Sequence, residues 1–438
     1  MKTLGLDIGT TSISAVVYEQ NVGAVLTKSV PNDSFLPSES WARLQDPAVI
    51  LERVTALLEE LLACHPDVRA IGVTGQMHGI VYLDRHGDCV SPLYTWQDGR
   101  GELPFDDTAS WAEHLSGITG YALSTGYGMV THFYNLHHDR VPKNAVSLCT
   151  IMDYVAMKLA GGTAPVMDPT NAASLGLFRL PQCRFDAQAL EKAGIDRTWL
   201  PAIGAGVCLG SGSMGIPVYT AIGDNQAAFL GAVGNRRDAL LVNVGTGSQI
   251  AVFSGEYRTV PGMETRPFPN GGWLLAGASL CGGRSYALLE NFFRQTVKMV
   301  TGREESVYAA MDRALAEADP VTDYPGAVTA FQGTRQDPNL RGSISGIGID
   351  NFTPLHLMYS FMDGIIRELY EMYRGYLEAG GTAPGVVIGS GNGLRKNPHL
   401  CRMLERIFDC ALTLSPHEEE AACGAAMLAE QYESARRA

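Results

Sequence analysis

A glycine-rich hairpin that occurs twice constrains the fold of this chain more than any other feature of its sequence. The strand-like residues 4–7 lead into Gly9-Thr10-Thr11-Ser12 and then a second strand-like run, and residues 240–243 lead into Gly245-Thr246-Gly247-Ser248 in the same way. When Asp7 is aligned with Asn243, the copies are identical at Gly9/Gly245, Thr10/Thr246, Ser12/Ser248, Ala15/Ala251 and Val16/Val252. The second copy begins about half a chain later, so we expect two halves that each open with this hairpin.

The length of the chain also favours two domains. Its 438 residues exceed the roughly 250–300 residues at which one hydrophobic core stops growing. Helices are predicted to start at Asp46-Pro47 and Thr353-Pro354, where an N-cap residue precedes a proline and an apolar stripe. Strands are predicted at residues 68–73, 216–222 and 384–388, and helices at 225–233, 397–408 and 418–431. This alternation predicts α/β domains, which we place at residues 1–234 and 235–438.

Composition excludes several classes of protein. Hydrophobic residues make up 46% of the chain, and the formal net charge of −13 is unfavourable for a nucleic-acid or anionic-membrane surface. The nine cysteines are scattered and form no CxxC motif, so zinc-finger and redox-motif sites are not expected. Asp7 interrupts the first apolar run, and no apolar run is long enough to span a bilayer. We therefore expect a cytoplasmic globular enzyme.

Three glycine-rich turns follow strand-like runs: the first turn (residues 9–12), the second turn (245–248) and the third turn (389–393). Glycine lets a backbone approach an anion closely, and N–H groups in such turns can converge on phosphate. No GxxxxGK[ST] motif is present, so a P-loop is excluded. The turns predict a phosphate site, and the alternative is a set of ordinary tight turns.

The hairpins resemble the phosphate loops of the actin-like ATPase superfamily. Two further segments, Gly75-Gln76-Met77-His78-Gly79 and Gly223-Asp224-Asn225-Gln226-Ala227-Ala228, resemble the FGGY carbohydrate kinases within it. Thr95-Trp96-Gln97-Asp98-Gly99-Arg100, Met152-Asp153-Tyr154 and Asn171-Ala172-Ala173-Ser174 are similar to the members that phosphorylate sedoheptulose. The resemblance implies an α/β fold of two actin-like (ribonuclease H-like) ATPase domains with an interdomain cleft. It assigns the sugar to the N-terminal domain and the nucleotide to the C-terminal domain.

The resemblance also implies catalytic roles for two aspartates. Asp224 would be the base that accepts the proton of the sugar hydroxyl, because a carboxylate orients this weak nucleophile and takes its proton as the bond to phosphorus forms. Asp7 would hold Mg²⁺, largely through water, and Asp224 would also face the metal. The second hairpin has Asn243 in place of Asp7. The alternative for Asp224 is a structural N-cap.

For the sugar, the resemblance implies a set of polar and aromatic residues in the first half, with Asp224 beside them: Gln76, Met77, His78, Trp96, Asp98 and Arg100. Planar or charged hydrogen-bonding groups with an aromatic wall suit a polyol. In isolation, His78 is more often a hydrogen-bonded core histidine than a ligand, and Trp96 is usually a core residue. The alternative for Asp98 and Arg100 is a surface salt bridge.

For ATP, the resemblance implies contacts from all three turns and one glycine near the terminal phosphates: Gly9, Thr10, Thr11, Ser12, Gly245, Thr246, Gly247, Ser248, Gly282, Gly389, Gly391 and Asn392. An ordinary helix start is the alternative for Gly282-Gly283. The chain is shorter than most members of the family, and Thr131-His132 stands where many members have a lysine-containing signature.

The expected activity is therefore Mg²⁺- and ATP-dependent phosphorylation of a primary hydroxyl of a ketose, sedoheptulose giving sedoheptulose 7-phosphate. Xylulose and ribulose are the alternative substrates. A nucleotide-driven chaperone and a non-catalytic sugar sensor are the alternatives from other classes. We expect a monomer or homodimer without a nucleic-acid or membrane partner.

Overall fold

The computed structural model describes residues 1–319, 321–334, 337 and 339–438. These residues form two compact units. Unit 1 contains Met1–Gly234, Arg266–Gly272 and His417–Ala438, and unit 2 contains Asn235–Thr265 and Trp273–Pro416. The domain boundary predicted after residue 234 places the last two segments of unit 1 in the second domain instead. The functional division into a sugar and a nucleotide domain stays a prediction.

Strands make up the centre of each unit. They are β1 Lys2–Ile8, β2 Ser12–Glu19, β3 Gly23–Pro31, β4 Leu44–Gln45, β5 Val68–Gly75, β6 Val81–Asp84, β7 Leu93–Tyr94, β8 Ala145–Cys149, β9 Val166–Met167, β10 Phe178–Arg179, β11 Arg184–Phe185, β12 Ala202–Ile203, β13 Cys208–Gly210, β14 Val218–Tyr219, β15 Ile222–Gly223, β16 Ala239–Val244, β17 Ser248–Ser254, β18 Met263–Pro267, β19 Trp273–Ser279, β20 Gly326–Val328, β21 Ser343–Ser345, β22 Val386–Ser390 and β23 Leu412–Leu414.

The α-helices are α1 Pro47–Cys64, α2 Trp111–Thr119, α3 Gly128–His137, α4 Ile151–Leu159, α5 Pro169–Ala172, α6 Ala187–Lys192, α7 Asp224–Val233, α8 Gly282–Thr301, α9 Tyr308–Glu317, α10 Pro354–Glu378, α11 Asn392–Lys396, α12 Pro398–Phe408 and α13 Glu420–Arg437. Short 3-10 turns lie at Gly99–Glu102, Ala173–Leu175, Leu180–Gln182 and Arg197–Trp199. Among the helices of the described residues, none has the length and apolar composition required to cross a membrane.

The main sheets of the two units share the order and the relative directions of five strands. In unit 1 the order β3-β2-β1-β5-β14 continues to β13, and in unit 2 the order is β18-β19-β17-β16-β22-β23. In each, an antiparallel hairpin (β1/β2 or β16/β17) joins a parallel pair through its first strand (β1/β5 or β16/β22). The predicted duplication of the opening hairpin is therefore confirmed, as is the α/β class.

Most predicted elements form where the sequence placed them. Asp46 caps α1 by accepting a hydrogen bond from Ala48 N, and Thr353 caps α10 in the same way. The strand predicted at 216–222 is instead two short strands, β14 and β15, which both pair with β5. Among the described residues, large apolar clusters of buried side chains form the cores, two in unit 1 and one in unit 2, and two small clusters lie between α13 and the unit 1 sheet.

The C-terminal helix α13 packs closely on the main sheet of unit 1 because small residues line both surfaces. A Cβ atom added to Gly5 of β1 would lie 1.8 Å from the carbonyl oxygen of Ala422. The Thr3 hydroxyl donates to the carbonyl of Ala426 at 2.9 Å. These contacts explain why residues far beyond the predicted boundary belong to unit 1.

Candidate active site

The first turn joins β1 and β2, and its carbonyl groups are held by two residues from distant parts of unit 1. Asn32 Nδ2 donates to the carbonyl of Gly9 at 2.8 Å, and the backbone N–H of Asn32 donates to that of Thr11 at 2.9 Å. Gln45 Nε2 donates to the carbonyl of Thr10 at 2.9 Å. In a trans peptide the N–H points opposite to the carbonyl. The N–H groups of Thr10 and Thr11 therefore point away from these donors, as an anion-binding turn requires.

Asp7 and Asp224 lie at the same edge of the unit 1 sheet. Asp7 of β1 and Ile222 of β15 are both paired with Thr74 of β5, one on each side of it. Asp224 follows β15 as the first residue of α7, whose N-cap is Gly223. A structural N-cap role for Asp224 is therefore wrong. A carboxylate in the first turn of a helix is favoured by the helix dipole.

The two carboxyl groups influence each other. Burial raises the pKa of Asp7 to about 7, and the negative charges of Asp224 and Glu419 add to this shift. Burial also raises the pKa of Asp224, whereas the positive charge of Arg266 and a 2.7 Å hydrogen bond from Asn225 Nδ2 oppose the rise. Burial thus raises the proton affinity of the Asp224 carboxyl group above its ordinary value, which is the direction that strengthens a general base.

The Gln76-Met77-His78 segment follows β5 and adjoins this pair. Met77 Sδ lies 3.6 Å from a guanidinium nitrogen of Arg266 and 3.9 Å from Asn225 Nδ2. His78 has a φ of 71°, a left-handed conformation that is uncommon outside glycine. Its ring stacks on Tyr127 with centroids 4.6 Å apart, and its Nδ1 is 2.7 Å from the carbonyl of Ser174. The structure thus brings the predicted sugar segment and the predicted base together within unit 1.

The Trp96–Arg100 segment divides into an exposed and a buried part. Trp96 is 45% exposed, so core packing is wrong for this residue, and its Nε1 donates to the Thr10 hydroxyl at 3.0 Å. Asp98 and Arg100 are 0% and 2% exposed and form an ion pair at 2.6 Å, so the expectation of a surface salt bridge is also wrong. The Arg100 guanidinium lies 4.2 Å from the Tyr94 ring centroid. Direct sugar contacts by Asp98 and Arg100 stay predictions, and their observed contacts are internal.

Several residues near this site were not predicted. Arg266 comes from the second half of the sequence yet belongs to unit 1, and no motif marks it. Gln45 lies in a two-residue strand that carries no periodicity. Asp153 is marked only by the Met152-Asp153-Tyr154 motif, without a site role, and Asp168 is marked by no motif. Both are buried, and burial raises their pKa values to about 8 and about 6. Among the described residues, no group of three or more His, Cys, Asp or Glu side chains could hold a metal ion.

In unit 2 the predicted nucleotide residues also gather at one place. The backbone N–H of Gly283, at the start of α8, donates to the carbonyl of Gly245 in the second turn at 2.8 Å. Asn243 Nδ2 donates to the Ser390 hydroxyl at 3.0 Å, which links the strands that precede the second and third turns. Gly391 has a φ of 84°, and a Cβ there would lie 2.5 Å from the carbonyl oxygen of Val244. Gly282 and Asn392 begin α8 and α11.

A cavity of about 460 Å³ lies beside these turns within unit 2. Its lining includes Gly283 of α8, Gly393 of the third turn, and the aromatic rings of Tyr286 and Tyr308. Asp312 and Lys396 add polar groups of opposite charge. A concave, largely apolar site with a few polar groups has the character of a small-molecule site.

Both halves of the chain match domains of a known protein family. Residues 2–231 match the N-terminal domain, and residues 240–430 the C-terminal domain, of the FGGY family of carbohydrate kinases. Sedoheptulokinase from Mus musculus is 30% identical over 97% of this chain and 96% of its own length. Glycerol kinase from Nitrosomonas eutropha is 25% identical over 97% of this chain and 88% of its own length.

Among solved structures, xylulose kinase from Rhodospirillum rubrum has a TM-score of 0.83 at 22% identity, covering 98% of this chain and 89% of that one. At 22% identity this likeness shows a shared fold only. The two family matches cover nearly the whole sequence and show the family. The chain belongs to the FGGY family of carbohydrate kinases, and it is therefore a sugar kinase, an enzyme of a family that uses ATP.

Proposed function

We propose that this sugar kinase transfers the γ-phosphoryl group of ATP to a primary hydroxyl of a ketose, converting sedoheptulose to sedoheptulose 7-phosphate. The identity of about 30% to sedoheptulokinase across nearly the full length of both chains supports the substrate. The observation that carries the chemistry is the pair Asp7 and Asp224 at one sheet edge beside the first turn. Membership of the kinase family disfavours a chaperone or a non-catalytic sensor.

In the proposed mechanism, Asp224 is the general base. Its carboxylate accepts the proton of the sugar hydroxyl as the hydroxyl oxygen bonds to the γ-phosphorus and the bond to the ADP oxygen breaks. Burial raises the pKa of Asp224, which strengthens it as a base, while Arg266 keeps the carboxylate form accessible. The proton then leaves to solvent when the products dissociate.

The sugar would contact the Gln76-Met77-His78 segment and the exposed Trp96 ring. The unusual backbone of His78 and its stacking on Tyr127 fix its ring in one orientation, which suits selection among sugar hydroxyls. Asp98 and Arg100 would act beneath this surface by holding the segment that carries Trp96, since each is almost fully buried.

The residues also fit a magnesium ion. Asp7 is a carboxyl group whose pKa is raised to about 7 by burial and by a second carboxylate, so a nearby cation would stabilise its ionised form. Mg²⁺ is usually bound by one or two carboxylates together with water and substrate phosphates. When bound, it would neutralise charge on the phosphates. Asp7 and Asp224 are the residues that would face it.

Each unit would supply its own groups that bind the nucleotide. The N–H groups of the first and second turns would bind phosphate oxygens, with hydroxyls of Thr10, Thr11, Ser12, Thr246 and Ser248 as additional donors. The cavity beside the third turn would take the adenosine, with Tyr286 and Tyr308 as aromatic walls.

A substrate panel tests the proposal. Xylulose, ribulose, fructose, sedoheptulose, glycerol and gluconate are each supplied with ATP and Mg²⁺, and kcat/KM is measured from ADP release. Sedoheptulose should have the highest value, and a tenfold preference for a five-carbon ketose would refute the substrate assignment while leaving the mechanism intact. Asp224→Asn protein purified in the same way is the control for contaminating kinases.

A further inference from the structure

The orientation of the Gln45 side-chain amide is fixed by the first turn. Gln45 is fully buried, and its Nε2 donates to the backbone carbonyl of Thr10 at 2.9 Å. A carbonyl oxygen only accepts hydrogen bonds, so the nitrogen end of the amide must face Thr10. The Oε1 atom of Gln45 therefore faces the opposite way, where Gln76 Nε2 donates to it at 2.8 Å.

The orientation of the side-chain amide of Gln76, a predicted sugar-binding residue, is fixed in the same way. Because its Nε2 is committed to Gln45, its Oε1 is the remaining end of the amide. This oxygen is buried and has no hydrogen-bond partner among the described residues, and the side chain is only 4% exposed. A buried amide oxygen without a partner is costly, and a donor from outside the chain, such as a hydroxyl group, would satisfy it.

We propose that Gln45 is a positioning residue that couples sugar binding to the first turn. The inference rests on the proposed function, since it takes the Gln76 segment as the sugar site and the first turn as a phosphate site. A sugar hydroxyl donates to Gln76 Oε1, which holds the Gln76 amide against Gln45. Gln45 in turn holds the carbonyl of Thr10, and with it the following N–H group toward phosphate.

Asn32 provides a matched comparison within the same turn. It holds the carbonyl of Gly9 through Nδ2, and the Ser34 hydroxyl fixes its amide by donating to Oδ1 at 2.7 Å. Like Gln45 it is buried, at 2% exposure, but its hydrogen bonds lead to Ser34 and the first turn rather than to Gln76. Loss of Asn32 should loosen the turn without breaking the connection to the sugar segment.

The test measures binding synergy by calorimetry. The dissociation constant of sedoheptulose, or of the preferred ketose, is measured with and without a non-hydrolysable ATP analogue and Mg²⁺. In the wild type the nucleotide should tighten sugar binding by about fivefold or more, a typical coupling between two sites. Gln45→Met, which keeps the length and removes both hydrogen bonds, should reduce this factor to about one. Asn32→Ala should weaken nucleotide binding and retain the wild-type factor.

A double-mutant cycle on kcat/KM for the sugar gives a second readout. Gln45→Met should add no further loss once Gln76→Met is present, whereas Asn32→Ala and Gln76→Met should be additive. Thermal unfolding of each variant identifies any that fails to fold, and Gln45→Leu then replaces Gln45→Met. A wild type without synergy, a Gln45→Met variant that retains it, or an additive cycle would overturn the inference. Failure of the proposed function is distinguishable, because it would appear as absent phosphoryl transfer in the wild type.

Discussion

Replacing Asp224 by asparagine removes the proposed base while changing little else in the structure. Asparagine keeps the shape of the side chain and an oxygen that can accept the 2.7 Å hydrogen bond from Asn225. It also keeps the first position of α7, where the helix dipole acts. What is lost is the ability to accept a proton, which typically contributes about 10²–10⁴-fold, or roughly 3–5 kcal/mol of activation free energy.

We therefore expect kcat to fall by about 10²–10⁴-fold, while the dissociation constant of the sugar changes little. ADP release measures kcat, and calorimetry measures sugar binding. Asp186→Asn is the control, because Asp186 is a carboxylate of unit 1 that caps α6 and should leave kcat unchanged. An Asp224→Asn enzyme that keeps more than a tenth of the wild-type kcat would refute the assignment of the base.

Three further perturbations test other parts of the structure. Burial raises the pKa of Asp153 in the folded state to about 8, against an ordinary 3.8. Because the unfolded chain releases this proton at lower pH, stability falls as pH rises from about 4 to 8. Asp153→Asn should therefore flatten that part of a Tm–pH curve. Arg266 lowers the pKa of Asp224, so Arg266→Gln should move the acid limb of the kcat–pH profile to higher pH, and an unmoved limb would contradict this. A Cβ on Gly231 would lie 1.8 Å from a backbone oxygen of α13. Gly231→Ala should therefore destabilise unit 1 by about 1–3 kcal/mol, measured by denaturant titration. Gly117→Ala is the control, because a Cβ there would have no atom within 4 Å and should not destabilise the unit.

Local features of this fold could be predicted from the sequence because they follow from neighbouring residues. The hairpins, the capped starts of α1 and α10, and the strand-to-helix junction at Asp224 each depend on turn chemistry and periodicity within a few positions. The family motifs then indicated which of these junctions carry chemistry.

Contacts between distant segments could not be predicted in this way. Gln45 forms hydrogen bonds with Thr10 and Gln76, which are 35 and 31 positions away in the sequence. It lies in a strand of two residues, which is too short to show a periodic pattern. Arg266 and α13 join unit 1 across most of the second half of the chain. The burial of Asp98 and Arg100 depends on Tyr94 and Asn135 packing around them, which residue spacing alone does not reveal.

Phosphoryl transfer to a primary hydroxyl of a ketose, the reaction proposed for Asp224 and the first turn, is identified by its products. The enzyme is incubated with sedoheptulose, ATP and Mg²⁺, and ³¹P NMR with proton coupling follows the phosphate. We expect one sugar phosphate for each ADP, with its phosphorus signal split by the two protons of a terminal CH₂ group. ADP accompanied by inorganic phosphate alone, or a phosphate coupled to a single ring proton, would contradict it.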